Sequence, residues 1–224
     1  MHVIAASRVW DPAMLDRLRE ATGQDFALID RKEDLTAERL AALAPGYVFF
    51  PHWSYLIPRA IHERFACVIF HMTDLPFGRG GSPLQNLIAR GIYETKVSAL
   101  RCEAGLDAGP VYLKRPLSLH GAAEEIYRRA TRVIEGMIVE ILRDSPQPVP
   151  QEGEPTTFAR RRPEESDLAP LRELEQLFDH IRMLDAEGYP KAFLETEHFR
   201  FEFDRAALRG ESVLADVRIT RRQP

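Results

Sequence analysis

The chain has little sulfur chemistry to offer. Of its 224 residues two are cysteines, Cys67 and Cys102, and neither stands in a CxxC or other ligand spacing. That excludes a disulfide framework and gives no sign of a metal site. Cys67 lies inside an apolar run, the setting of an inert core thiol. No apolar run approaches membrane-spanning length, and the opening MHVIAASRVWD lacks the basic and apolar regions of a signal peptide. A cytoplasmic location with no membrane partner is the expectation. No internal repeat is present, and neither sign of charge dominates. A formal net charge of −4 and an isoelectric point near 6.0 argue against a nucleic-acid partner, which calls for a basic face. A local basic strip remains at Arg160, Arg161 and Arg162.

What is present is the balance of a soluble globular protein, 45% hydrophobic and 29% charged. The length suits one domain, with room for a small appendix. Through the first half, strand-like runs at 2–7, 25–30, 47–50 and 67–71 alternate with helical spacings at 12–22, 36–44, 58–65 and 82–91. Thr36 is a natural N-cap, and Ser82 with Pro83 opens the last of these helices. Such alternation predicts an α/β fold with a mostly parallel sheet covered on both faces.

Two further strands are expected at 95–103 and 109–119. A long helix follows at 122–144, with Ile126, Ala130, Val133, Ile134, Met137, Ile138 and Ile141 on one apolar stripe. The proline-rich run 145–155 reads as a linker, dividing a core of residues 1–150 from a C-terminal part of 151–224. That part shows one helical segment at 170–188 and short strands in KAFLET, FRFEF and SVLADVRI.

The stretch VIFHMTDLPFGRGGSPLQNLI, residues 68–88, breaks this regularity. A buried-looking strand ends in His71 and runs into proline and glycine, which turn the chain sharply. In an open parallel sheet, ligands bind beyond the carboxyl ends of strands, where His71 stands. A lone strand-end histidine is more often structural than catalytic. Asp107 taken alone is a turn residue before Gly109.

The spaced residues His71, Thr73, Leu75, Pro76, Arg79, Gly80 and Pro83 resemble the HPSLLPxxRGxxP signature of the folate-dependent formyltransferases. LDAGPVY, residues 106–112, resembles the D-x-G segment of that family. FARRRPEESDL with IRMLDAEGYPKAF resembles a region of its sugar N-formyltransferases. The resemblance implies a Rossmann-like core that moves a formyl group from N10-formyltetrahydrofolate to an amine. It implies a catalytic role for His71, oriented by Asp107. It also implies a pteridine pocket at Tyr55, Leu56 and Ile57, with Arg79 and Gly80 beside the cofactor.

One departure stands out. The family carries an asparagine two residues before its histidine, and this chain has Ile69, which cannot donate to a formyl oxygen. His52, Thr73, Gln85 and Asn86 are the polar candidates for a relocated donor, His52 first. The resemblance implies a nucleotide-linked amino sugar as acceptor and allows a homodimer. Asp74, Gln85, Asn86, Arg182 and Tyr189 are the expected substrate contacts, with Arg182 and the 160–162 strip toward the diphosphate. The alternative is a non-catalytic relative that binds folate or a sugar nucleotide.

Overall fold

The computed structural model describes residues 1–222. Its elements in chain order are β1 (His2–Ala5), α1 (Met14–Thr22), β2 (Phe26–Ile29), α2 (Ala37–Leu43), β3 (Val48–Phe50), α3 (Arg59–His62) and β4 (Cys67–His71). Then come β5 (Arg79–Gly80), α4 (Pro83–Ile88), β6 (Glu94–Arg101), β7 (Val111–Ser118), α5 (Ala123–Asp144) and β8 (Thr157–Phe158). The chain closes with α6 (Leu174–Arg182), β9 (Ala192–Glu195), β10 (Phe199–Arg209) and β11 (Ser212–Arg221). Among the described residues no helix is long and apolar enough to cross a membrane.

Six strands form the central sheet in the order β2-β1-β3-β4-β6-β7. The first four are mutually parallel, whereas β6 runs antiparallel to β4, with His71 opposite Ser98. The sheet is thus α/β and mostly parallel. Strand order reverses at β1 and β3, which opens a crevice beyond their carboxyl ends. Pleating sorts side chains onto two faces. Val3, Ala5, Val48, Phe50 and Cys67 pack with Leu40 of α2 and Ile61 of α3, and Ile69 lies against that cluster. On the other face Ile4 meets Met14 of α1 and Thr131 of α5.

The chain forms two compact units. The first comprises Met1–Gly80, Thr95–Leu117 and Arg128–Thr157, and the second comprises Gly81–Glu94, Ser118–Tyr127 and the chain from Phe158. This division differs from a boundary at residue 150. The proline-rich run 145–155 is a strap of the first unit, since Val149 and Val111 exchange backbone hydrogen bonds of 2.8 and 2.9 Å. Prolines stop this run from forming a helix, but its carbonyls and the Gln151 side chain still bond the sheet edge. In the second unit β9, β10 and β11 form an antiparallel sheet, with α6 packed on β10.

Local chemistry explains most boundaries. Thr36 caps α2 by accepting from Arg39 N–H at 3.2 Å. Gly23 ends α1 in the left-handed region, where a side chain would be costly. Ser82 does not cap α4 through its hydroxyl. It stands at φ 48, and its Oγ accepts from Arg161 N–H at 3.1 Å. On α5 the expected stripe is buried, with Val133 the least so.

Candidate active site

The site begins at the carboxyl end of β4. Residues 67, 69 and 71 alternate onto one face, so Ile69 and His71 are neighbours on the side of α2 and α3. His71 is 6% exposed. Its Nε2 lies 2.8 Å from the Gly78 carbonyl, which can only accept, so Nε2 carries a proton. Its Nδ1 stands 3.5 Å from Asp107 Oδ2. The same carboxylate oxygen accepts from Gly80 N–H at 2.9 Å. The turning chemistry after His71 therefore has a purpose. It folds the backbone back so that Gly78 grips the imidazole and Gly80 grips the carboxylate.

Asp107 sits on the turn between β6 and β7, at φ 49. That turn is pinned. Gly109 is buried so tightly that a β-carbon there would lie 1.9 Å from the Arg101 carbonyl oxygen. Gln151 accepts from Arg79 Nε and Nη2 at 3.1 and 2.8 Å, and its Nε2 donates to the Asp107 and Gly109 carbonyls, each at 2.8 Å. Arg79 and Gly80, expected beside a cofactor, thus support the Asp107 turn. Gln151 escaped the sequence reading because it lay in a stretch that looked like a linker. No residue pattern marks such a clamp.

The other expected residues divide clearly. Thr73 is fully buried and donates to the Gly78 carbonyl at 3.4 Å. Asp74 is held between Lys114 and Lys96 at 2.6 and 2.9 Å. Burial opposes its ionisation, but hydrogen bonds from the two lysines win and keep its carboxyl below the ordinary range.

His52 is not brought to His71. Its Nε2 lies 3.0 Å from Thr131 Oγ1, among Ile4, Trp10, Met14 and Leu15, on the sheet face opposite Ile69. Burial pushes its imidazole down to about 4. The relocated donor is therefore not His52.

Gln85, Asn86, Arg182 and Tyr189 belong to the second unit and bond within it. Gln85 Nε2 donates to Tyr127 Oη and the Met183 carbonyl, while Asn86 Nδ2 donates to the carbonyls of Gly81, Ser82 and Ala159. Neither amide has a donor to spare. Tyr189 Oη bonds Tyr127 Oη at 2.7 Å. Arg182, 2% exposed, pairs with Asp179 at 2.6 Å and donates to the Leu119 and Gly121 carbonyls. It reads as an internal staple through Nε and Nη1, while its Nη2 is buried without a hydrogen-bond partner among the described residues.

The segment after β3 has the character of a heterocycle platform. Tyr55 and Leu56 are 47% and 82% exposed, and Ile57 is half-buried. The backbones of Leu56 and Ile57 make no hydrogen bond among the described residues. Trp53 Nε1 is buried without a partner among those residues. Exposed apolar side chains beside unpaired backbone groups suit a flat ring that stacks and hydrogen-bonds along one edge. Both cysteines are buried, and burial pushes Cys67 up to about 12 and Cys102 to about 11, as inert thiols require.

A histidine and an aspartate 3.5 Å apart beyond the end of a parallel strand make a candidate site for group transfer on an α/β sheet. Comparison with known proteins gives the class. A solved structure titled methionyl-tRNA formyltransferase from Clostridium thermocellum is 47% identical, has a TM-score of 0.94, and is matched over 98% of both chains. Residues 163–220 match the family described as methionyl-tRNA formyltransferase, C-terminal domain. Methionyl-tRNA formyltransferase of Halorhodospira halophila is 30% identical over 182 residues, 77% of this chain and 59% of that protein. HypX from Aquifex aeolicus, solved with tetrahydrofolic acid, shares the fold at 19% identity and a TM-score of 0.74, over 92% of this chain and 38% of that one. The chain belongs to the methionyl-tRNA formyltransferase family. It spans about half the length of the curated relatives it matches.

These matches overturn the expected amino-sugar acceptor. Most of the motif that pointed there, FARRRPEESDL with IRMLDAEGYPKAF, lies inside the segment matched to the methionyl-tRNA formyltransferase C-terminal domain, all but residues 158–162. The exclusion of a nucleic-acid partner falls with it, because the relatives' names give methionyl-tRNA as what they act on. A net charge of −4 averages over the whole surface and is a weak guide to a local contact.

Proposed function

We propose that this chain transfers the formyl group of N10-formyltetrahydrofolate to the α-amino group of methionyl-tRNA. The observation that carries the reading is the buried His71–Asp107 pair, held by Gly78 and Gly80 beyond the end of β4. N10-formyltetrahydrofolate is the formyl donor of this enzyme family, and the Trp53–Ile57 segment supplies the platform that its pteridine needs. The residues 163–220 support the choice of a tRNA acceptor through their family match.

In the reaction the amine nitrogen bonds to the formyl carbon, the carbon–N10 bond breaks, and the proton lost by the amine is delivered to N10. A group is needed that accepts and returns that proton, and imidazole does both near neutral pH. Asp107 can hold a proton on Nδ1, as a buried carboxylate orients a catalytic histidine. As the substrate displaces the Gly78 carbonyl, the ring releases its Nε2 proton to solvent while Nδ1 keeps its own toward Asp107, and the freed Nε2 then takes the amine proton and returns it to N10. Ile69 adds no donor for the formyl oxygen, and the side chains of Gln85 and Asn86 are fully engaged.

The test is direct transfer. Purified chain, N10-formyltetrahydrofolate and initiator tRNA charged with methionine should yield formylmethionyl-tRNA, resolved from the unformylated form on an acid gel. Free methionine should remain unmodified. Folate binding without any transfer to the charged tRNA would overturn the reading.

A further inference from the structure

We infer that Gln151 is a positioning residue for this reaction, fixing the turn that presents Asp107 to His71; the inference rests on the reading of the site given above. Its amide is used to capacity. A guanidinium cannot accept and a carbonyl cannot donate, so Oε1 must face Arg79 and Nε2 must face the Asp107 and Gly109 carbonyls.

The contacts form a closed ring. Gln151 holds the main chain of Asp107, Gly80 N–H holds its carboxylate, and Arg79, the neighbour of Gly80, holds Gln151. A ring of bonds fixes the carboxylate against both the β4 loop and the strap, where a single contact would let it swing. The fixing matters because Asp107 occupies φ 49, a left-handed turn conformation that aspartate tolerates but that by itself does not set where the carboxylate points. Gly109 adds the opposite wall through its close approach to Arg101. Asp107 stands 3.5 Å from Nδ1, so a small rotation of the turn decides whether the two groups bond.

The experiment uses the full chain with Gln151→Met, which keeps length and packing but removes every polar contact, and with Gln151→Glu, which turns an acceptor toward two carbonyls. Three readouts are needed: formyl-transfer kinetics, thermal melts, and NMR of ring-15N-labelled histidine in the unliganded protein. Gln151→Met should lower kcat by about ten- to a hundredfold, the cost of a misplaced catalytic group, with KM for both substrates within roughly threefold. It should also move the His71 nitrogen signals toward those of Asp107→Asn. Gln151→Glu should lower kcat further. Unmoved His71 signals in folded Gln151→Met would overturn the inference, as would a loss of activity that only follows the loss of folded protein. If the wild-type chain transfers no formyl group, the functional reading fails, while the NMR comparison still decides the clamp.

Discussion

Strands β3 and β4 lie side by side, and the chain just beyond one and at the end of the other carries a histidine, yet the two imidazoles have opposite company. His71 faces a carboxylate and a backbone carbonyl and belongs to the α2 and α3 side. His52 faces a hydroxyl in a mostly apolar cavity on the α1 and α5 side, which Arg8 and Asp11 also line, and burial drives its imidazole down to about 4. A strand end alone does not make a histidine reactive. What the comparison teaches is that the next turns must deliver a partner able to share a proton, as the β4 loop and the Asp107 turn do. At His52 the ring nitrogen Nε2 meets a hydroxyl, and burial favours the neutral ring.

The sharpest way to break the comparison is to remove each histidine. His71→Ala and Asp107→Asn should each lower kcat for formyl transfer by on the order of a hundredfold or more. Melting temperatures should change little, since neither side chain anchors the core. His52→Asn should leave kcat within a few-fold of wild type, because asparagine also tolerates the left-handed backbone at φ 52. Equal losses in the His71 and His52 variants would erase the distinction.

A second test reaches the same site through the backbone. Gly109→Ala forces a β-carbon onto the Arg101 carbonyl, and backbone on both sides cannot rotate away. Overpacking of this kind costs about 2–3 kcal/mol, which for a chain of this size lowers the melting temperature by roughly 5–10 °C. Turnover should fall as well, as the Asp107 turn is displaced.

His52 makes stability depend on pH. Its ordinary value is 6.5, and in the folded chain it is about 4. Between those values the unfolded chain binds more protons, so stability is complete above about pH 6.5 and declines as pH falls toward 4. The loss approaches roughly 3 kcal/mol at the acid end, reduced by whatever solvent reaches this partly exposed residue. Melts of wild type and His52→Asn from pH 7.5 to 4.5 should show a shallower acid decline in the variant. The decline persists in part, because burial also lowers His2 and His180.

Much of the fold was legible in the sequence, and so was the closeness of the two residues at the centre of the candidate site. Among the described residues the six strands of the central sheet and the six helices fall close to where the sequence pattern put them, because buried strands are short apolar runs and most helices carry a stripe. His71 and Asp107 were found through a signature with fixed spacing. The rest was hidden for physical reasons. Gln151 works through a long side chain reaching between segments far apart in sequence, and no local pattern records that. The side of the sheet that His52 occupies depends on backbone turning at φ 52 just after β3, beyond the reach of strand alternation. The amino-sugar expectation fails because most of its motif lies within a segment that matches the methionyl-tRNA formyltransferase C-terminal domain, and because whole-chain charge says little about a local surface.

The smallest expected effect tests the remaining difference on the β4 face. Ile69 is half-buried against the cluster of Phe50 and Cys67 and sits beside His71, where an amide could reach a formyl oxygen. None of the polar side chains first considered as substitutes has a donor free for that oxygen. His52 is on the wrong face, Gln85 and Asn86 are saturated, and Thr73 donates to Gly78. An oxyanion donor is worth roughly 3 kcal/mol where geometry is good, but an asparagine placed in a site shaped for isoleucine realises only part of it. The same substitution costs about 1–3 kcal/mol of stability for a poorly partnered amide. Ile69→Asn should therefore raise kcat several-fold and lower the melting temperature by a few degrees, as read from steady-state kinetics and melts on one preparation. An unchanged kcat would mean that main-chain donors already serve the formyl oxygen. The unbonded N–H groups of Leu56 and Ile57 would then be the ones to examine, by amide-to-ester substitution at each.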